Sequence, residues 1–305
     1  MTHSTVDNWT ELQAALGRLL GVETTELRYV SQHGHASNVH RVTLAARGEA
    51  PRELIIKKLD DPTYMAFYRD VLRPLDLNSP AMYGEIASDG EQFAVMEFIS
   101  HRPTRWHERG DYERSIDWLV MKDRLFAREG ERVASLPCIR GNWLIEQDFV
   151  GPLERGARAG LHARLGPALI SRAQEVLAAS AASLDAEPHT LCHNDFQLQN
   201  VLFAAGCRDD GLFVIDWTWP HVGSRCIDLA MLVHTAPQEM TGQLISRYES
   251  QLPMQQFAER LATVRRFFAL VVLANMIEFA LLGKDDEPRR NYIGELARQV
   301  DEGVA

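Results

Sequence analysis

The order of apolar patterns predicts an α+β protein of two lobes. Three observations carry that prediction. Short β-branched and aromatic segments fill the first third of the chain. Apolar residues then fall three and four apart. Two brief apolar runs interrupt the helical remainder. The expected division is 1–99 for an N-terminal antiparallel sheet with one helix, and 100–305 for a larger, mainly helical lobe.

The first segment, "MTHSTVDNWTELQAALGRLLG", has no basic stretch leading into an apolar core. It reads as a short amphipathic helix rather than a signal peptide. Strands are expected at "ELRYV", "NVHRVTLAA", "RELIIKKL" and "QFAVMEFI", with turns at "HGHASN" and "ARGEAPRE". One helix, "DPTYMAFYRDVLRPL", starts at Asp-Pro and ends near Pro74. After "ISHRP", helices are expected over 111–129, 142–160 and 167–184, and again from Asp228 onward. Between them "NVLF" and "LFVIDW" read as a small β-hairpin around the loop-like "AAGCRDDG". The most apolar segment, residues 267–283, is interrupted by Asn275 and Glu278 and is too short to span a bilayer, so no membrane association is expected.

With 305 residues, 46% hydrophobic and 24% charged, the chain has ordinary globular composition. A net charge of −10 without a Lys/Arg run argues against nucleic-acid binding. Cys138, Cys192, Cys207 and Cys226 form no C-x-x-C pair, which excludes a zinc framework or a disulfide scaffold. Scattered thiols suit a reducing cytoplasm.

"HNDFQLQN" places His193, Asp195 and Asn200 in the spacing H-x-D-x-x-x-x-N. Random placement of this chain's His, Asp and Asn gives roughly 0.02 such matches. Asp216, in "VIDW", follows shortly. Phosphoryl transfer needs that order: an aspartate to accept the acceptor hydroxyl's proton, then Asn and Asp oxygens for magnesium. The competing reading is a polar turn whose Asp and Asn bond their own backbone.

"HNDFQLQNVLF" followed by "VIDWTWPHVGSRCIDLAML" resembles the signature of the aminoglycoside phosphotransferase and choline kinase superfamily. The resemblance implies a protein-kinase-like fold, ATP and Mg2+ as cofactors, and a small-molecule hydroxyl as acceptor. It implies Asp195 as catalytic base, His193 as a loop-positioning residue, and Asn200 and Asp216 as metal ligands. Asp228, in Asp228-Leu229-Ala230, would brace the catalytic loop, and a helix N-cap would also explain its position.

In the first lobe a strand lysine should hold the phosphates. Side chains alternate along a strand, so Ile55 and Lys57 share a face, and Lys57 is preferred over Lys58. Where the family commonly has a helix glutamate to pair with this lysine, Tyr64 stands here, with Asp70 as a possible substitute. "SQHGHASNV" would cradle phosphates through the amides of Ala36 to Asn38, with Ser37 and Asn38 as binding residues. It has a single glycine, Gly34. The backbone of Glu97 and Ile99 would meet adenine, with Met96 behind them.

No D-F-G, A-P-E or long activation segment follows Asp216, which argues against protein substrates. Aromatic residues among Trp106, Trp118, Trp143, Trp217 and Trp219 would suit a quaternary ammonium by cation–π attraction, but core packing is the commoner use of Trp. The leading expectation is therefore a small-molecule kinase acting on an aminoglycoside-, amino-alcohol- or sugar-like hydroxyl. The alternatives are a nucleotide-binding pseudokinase and a metal-dependent hydrolase using His193, Asp195 and Asp216.

Overall fold

The computed structural model describes residues 9–32, 39–59, 61, 63–136, 147–186, 188–204, 211–217, 220–284 and 286–302. Ser37, Asn38, Gly34, Trp143 and Trp219 lie outside these residues, and so do Cys138 and Cys207. The chain divides into two units: Met1–Pro103 with Leu202–Asp216, and Thr104–Val201 with Trp217–Ala305.

The first unit is built on a five-stranded antiparallel sheet in the order β1-β2-β3-β5-β4. Its strands are β1 (Thr24–Gln32), β2 (Val39–Ala46), β3 (Arg52–Lys58), β4 (Met82–Ser88) and β5 (Glu91–Glu97). Helix α1 (Trp9–Leu20) lies on one face, as its amphipathic pattern predicts. Leu12 and Leu16 pack with Val42, Leu44, Leu54, Ile56, Phe93 and Val95. Burying each such side chain contributes about 1.5–3 kcal/mol. Strand β4 was not expected from the sequence: in "MYGEIAS" exposed residues alternate with half-buried ones and, toward its end, with buried Ile86 and Ser88, and Gly84 removes a side chain from the apolar series. Gly84 is needed there. Its φ is +148°, and a Cβ would sit 2.6 Å from Leu19 of α1.

The expected helix after β3 is short. Helix α2 (Thr63–Phe67) is capped by the Asp61 carboxylate, which accepts from the Thr63 N–H at 2.9 Å. It widens into a π turn over Tyr68–Leu72, where the Arg73 N–H reaches back to the Tyr68 carbonyl. The hairpin strands β8 (Val201–Ala204) and β9 (Leu212–Val214) join a third strand, β6 (His101–Arg102), so the expected two-stranded element is three-stranded. Strand β9 ends at Val214, two residues short of Asp216.

The second unit is helical: α3 (Arg109–Ala134), α4 (Val150–Arg158), α5 (Pro167–Leu184), α6 (Cys226–Thr235), α7 (Gln238–Gln251), α8 (Phe257–Leu281) and α9 (Glu287–Glu302). Helix α8, the apolar segment of the sequence, is the centre of the packing and touches α4, α5, α6 and α9. Of the helix expected over 142–160, residues 142–146 lie outside the described residues; helix α4 starts at Val150, where Asp148 accepts from the N–H groups of Val150 and Gly151. Two four-residue strands, β7 (His189–Cys192) and β10 (His221–Ser224), pair antiparallel. They are too short to show a period. No helix among the described residues is long and apolar enough to cross a membrane.

Candidate active site

The second unit holds the His193–Asn200 stretch. It leaves β7 after Cys192 and is pinned by one carboxylate. The His193 N–H donates to both oxygens of Asp228, at 2.9 and 3.0 Å, and the Asn194 N–H donates to Oδ1 at 3.0 Å. Asn194 is left-handed, with φ 69°, a conformation asparagine tolerates better than most residues. Asp228 sits in the first turn of α6, whose N-cap is Arg225. Its carboxylate therefore faces the loop and does not serve as the helix cap.

A buried lysine holds Asp228 in turn. Lys122 Nζ on α3 lies 2.9 Å from Asp228 and 3.1 Å from Asp123, and it donates to the Leu191 carbonyl. All three charged groups are about 1% exposed. Burial disfavours the ammonium, but Asp123 and Asp228 more than offset it, so Lys122 is held above the ordinary lysine range. Burial likewise works against the Asp228 charge, and Lys122 with the loop N–H groups overcomes it and lowers its pKa. The second Asp123 oxygen accepts from the Tyr248 hydroxyl, and Thr190 donates to the first. A charged lysine in a core is stable only with such complete pairing.

Sequence reasoning missed Lys122. The signal was present: Trp118, Leu119 and Phe126 fall three and four residues away, so Lys122 lies on the apolar stripe of α3.

On this base, Asp195 is half-buried and surrounded by amides. Asn200 Nδ2 donates to its carboxylate and to its carbonyl, each at 2.8 Å, and Gln197 Nε2 donates to the other carboxylate oxygen. With its nitrogen on Asp195, the Asn200 amide points its oxygen away from that carboxylate. The Asp195 N–H donates to His193 Nδ1 at 3.3 Å, which places the ring proton of a neutral His193 on Nε2. The His193 ring packs 4.6 Å from Trp217, and Phe196 stacks on Trp118 at 5.2 Å. Trp118 and Trp217 are buried in this packing and do not form an open aromatic wall.

Asn194 Nδ2 also donates to His221 Nδ1 at 2.6 Å. His221 is fully buried, and burial pulls its pKa down to about 4. Burial pushes the Cys192 thiol well above its usual range. Cys192 and Cys226 are buried and free.

The first unit holds the lysine. Leu54 and Ile56 point into the core, so Ile55 and Lys57 take the other face. Lys57 Nζ lies 2.6 Å from Asp216 Oδ1 and 4.7 Å from the centre of the Tyr64 ring. Lys58 pairs with Glu91 instead. Asp216 is left-handed, with φ 64°, a conformation that costs a non-glycine residue on the order of 1 kcal/mol. Tyr64 is buried, and burial raises its hydroxyl pKa; that hydroxyl faces Tyr68 at 3.4 Å. Asp70, the acid considered as a helix partner for the lysine, is instead held by Arg69 at 2.7 and 2.8 Å.

At the start of β5, the Leu59 N–H donates to the Gln92 carbonyl. That fixes the β3–β5 ladder so that Leu54 and Glu97 face each other as a non-hydrogen-bonded pair. The Glu97 N–H goes to the Ala81 carbonyl, and the Ile99 carbonyl meets the His101 ring at 2.8 Å.

Among the described residues, no group of three or more His, Cys, Asp or Glu is arranged to hold a metal. The metal-dependent hydrolase expectation draws no support from the described residues. His193 is used by the loop backbone and His221 by Asn194, while His189 bonds the Asp185 carbonyl.

The phosphotransferase family abbreviated APH matches residues 46–259, well over half of the chain. The chain belongs to this phosphotransferase enzyme family. Solved structures agree in fold. Choline kinase from Cryptosporidium parvum Iowa II aligns with a TM-score of 0.61 at 11% identity, covering 91% of this chain and 88% of that one. An aminoglycoside phosphotransferase from Alicyclobacillus acidocaldarius subsp. acidocaldarius DSM 446 aligns at 0.58 and 14%, covering 95% and 96%. APH(2")-IIia, solved with GDP and kanamycin, aligns at 0.59 and 11%, covering 95% and 97%. These likenesses establish the kinase-like fold of the family. No curated protein matches the sequence.

Proposed function

We propose that this phosphotransferase moves the γ-phosphoryl group of ATP to a hydroxyl of a small molecule. The observation that carries the reading is the geometry of Asp195. Its carboxylate is oriented by two neutral amides, on a loop fixed by buried charge. An acceptor hydroxyl at that carboxylate would give up its proton to Asp195 as its oxygen forms the bond to phosphorus and the bond to the leaving ADP oxygen breaks. The base needs to be held still and ionised; neutral donors do the first without a formal charge that would compete with the incoming proton.

In this reading Lys57 binds the phosphates, and the Glu97 carbonyl and Ile99 N–H take the adenine edge. Ser37 and Asn38 are assigned to the phosphate loop from sequence. Asn200 and Asp216 each supply the hard oxygen that magnesium prefers, and they are the residues that would hold it. Bound magnesium would neutralise charge on the phosphate oxygens. His193 and Asp228 act by holding the loop, and Lys122 joins them. A relative solved with kanamycin supports a polyhydroxylated acceptor as the first compound class to try.

The test is Asp195→Asn. Nucleotide-dependent thermal stabilisation should persist, while ADP release with an acceptor should fall by about 10²–10⁴-fold. Unchanged turnover would remove Asp195 as the base.

A second reading, a nucleotide-binding pseudokinase, is favoured by one observation. Lys57 is engaged by Asp216 and the Tyr64 ring, and α2 offers it no carboxylate. Stabilisation by ATP and magnesium without turnover over a broad panel of alcohols and amino sugars would favour that reading.

A further inference from the structure

The second unit contains a cavity of about 860 Å³ that none of the roles above uses. It lies where the C-terminal turns of α3 meet the far end of the β7–β10 pair. In that pair His221 faces Cys192 at the loop end, and Ser224 faces His189 at the cavity end. Four-residue strands separate the two ends by roughly 10 Å, so the cavity is distinct from the Asp195 loop.

Its lining is rich in guanidinium groups: Arg128, Arg132 and Arg225, with His189 beside them. Arg132 is paired with Glu129 at 3.3 Å. Arg128 is exposed and takes part in no ion pair among the described residues. Arg225 is the informative one. Its Nε is buried and meets no acceptor among the described residues. A buried donor left without a partner is costly, and a charged one more so. The volume falls within the range of small-molecule sites.

From this geometry we infer that the cavity binds a small molecule bearing an oxyanion, with Arg225 as its anchor and Arg128 closing on it from the rim. A guanidinium presents its N–H groups as a fork that fits both phosphate and carboxylate. Carboxylate and phosphate compounds are therefore the two possible sources of that one chemistry. Glu129 and Glu131 on the same wall disfavour a large polyanion and suit a compact one. The inference does not depend on the chain's being an active kinase.

Calorimetric titration of the full chain with inorganic pyrophosphate and, separately, with citrate tests it. Saturable binding of either anion is expected. Arg225→Met should weaken it at least tenfold and Arg128→Gln several-fold, while Lys58→Ala, at a lysine paired with Glu91, leaves it unchanged. The preferred anion identifies the source. If Arg225→Met fails to fold, the paired surface changes Arg128→Gln and Arg132→Gln should still weaken binding tenfold. No saturable binding of either anion up to about 10 mM overturns the inference. So does binding that survives Arg225→Met and disappears in Lys57→Met, which would place the anion at the nucleotide site.

Discussion

The two regions to which the proposed chemistry is assigned are held by opposite means. The Asp195 loop in the second unit rests on a dry network: Lys122, Asp123 and Asp228 are each about 1% exposed, and every bond in the set depends on the others. Lys57 in the first unit is held by one ion pair to an Asp216 carboxylate that is nearly half exposed, together with the face of an aromatic ring. Buried charge fixes a geometry but fails abruptly when one member is removed. An ion pair whose carboxylate is nearly half exposed is weak, and in the proposed function Lys57 exchanges Asp216 for phosphate oxygens at little cost. The contrast fits the proposed roles: a base must be positioned before substrate arrives, whereas a phosphate-binding lysine must change partners.

The sharpest way to break this contrast is Lys122→Met. It leaves Asp123 and Asp228 as two buried carboxylates without their cation, and the expected loss is about 3–5 kcal/mol of folding stability. Urea unfolding measures it. A loss under 1 kcal/mol would mean that the network is not dry and that the two regions do not differ in kind.

A pH titration gives the next largest effect. His221 has a folded pKa of about 4, below the ordinary value for histidine, so the unfolded chain takes up its proton first as pH falls. Stability is therefore retained at pH 7 and lost as pH falls through the window from 6.5 to 4. Between pH 7 and pH 5 the expected loss from this group is about 2 kcal/mol. Burial lowers the pKa of His234 too, so it acts in the same direction. In His221→Gln the slope should flatten by the His221 share. An unchanged slope would assign the acid sensitivity elsewhere.

Much of the first unit was legible because its strands alternate. "NVHRVTLAA" and "RELIIKKL" bury every second residue, as the pattern requires. Strand β4 escaped because an edge strand with a glycine lacks that contrast, and β7 and β10 because four residues cannot establish a period. The His193–Asn200 spacing was visible in the sequence. Lys122 was not, because a lysine in a helix ordinarily faces water, and only the packing of α3 reveals that this one does not. Asp216 was expected on a strand. The strand stops earlier because the left-handed turn at Asp216 is incompatible with continuing it.

The smallest effect bears on the two adjacent lysines and sharpens the contrast most. Lys58 and Glu91 form a pair in which each side chain is about one-third exposed, 28% and 34%. Pairs of this kind contribute about 0–1 kcal/mol. Lys58→Ala should therefore shift the unfolding midpoint little and leave nucleotide-induced stabilisation unchanged. Lys57→Ala should change folding almost as little, since its pair with Asp216 is also partly solvated, yet it should abolish that nucleotide shift. Two substitutions one residue apart, equal in stability and opposite in ligand response, would separate a structural pair from a functional one. Equal ligand responses would mean that strand alternation does not decide which lysine serves the nucleotide, and the role assigned to Lys57 would fall with it.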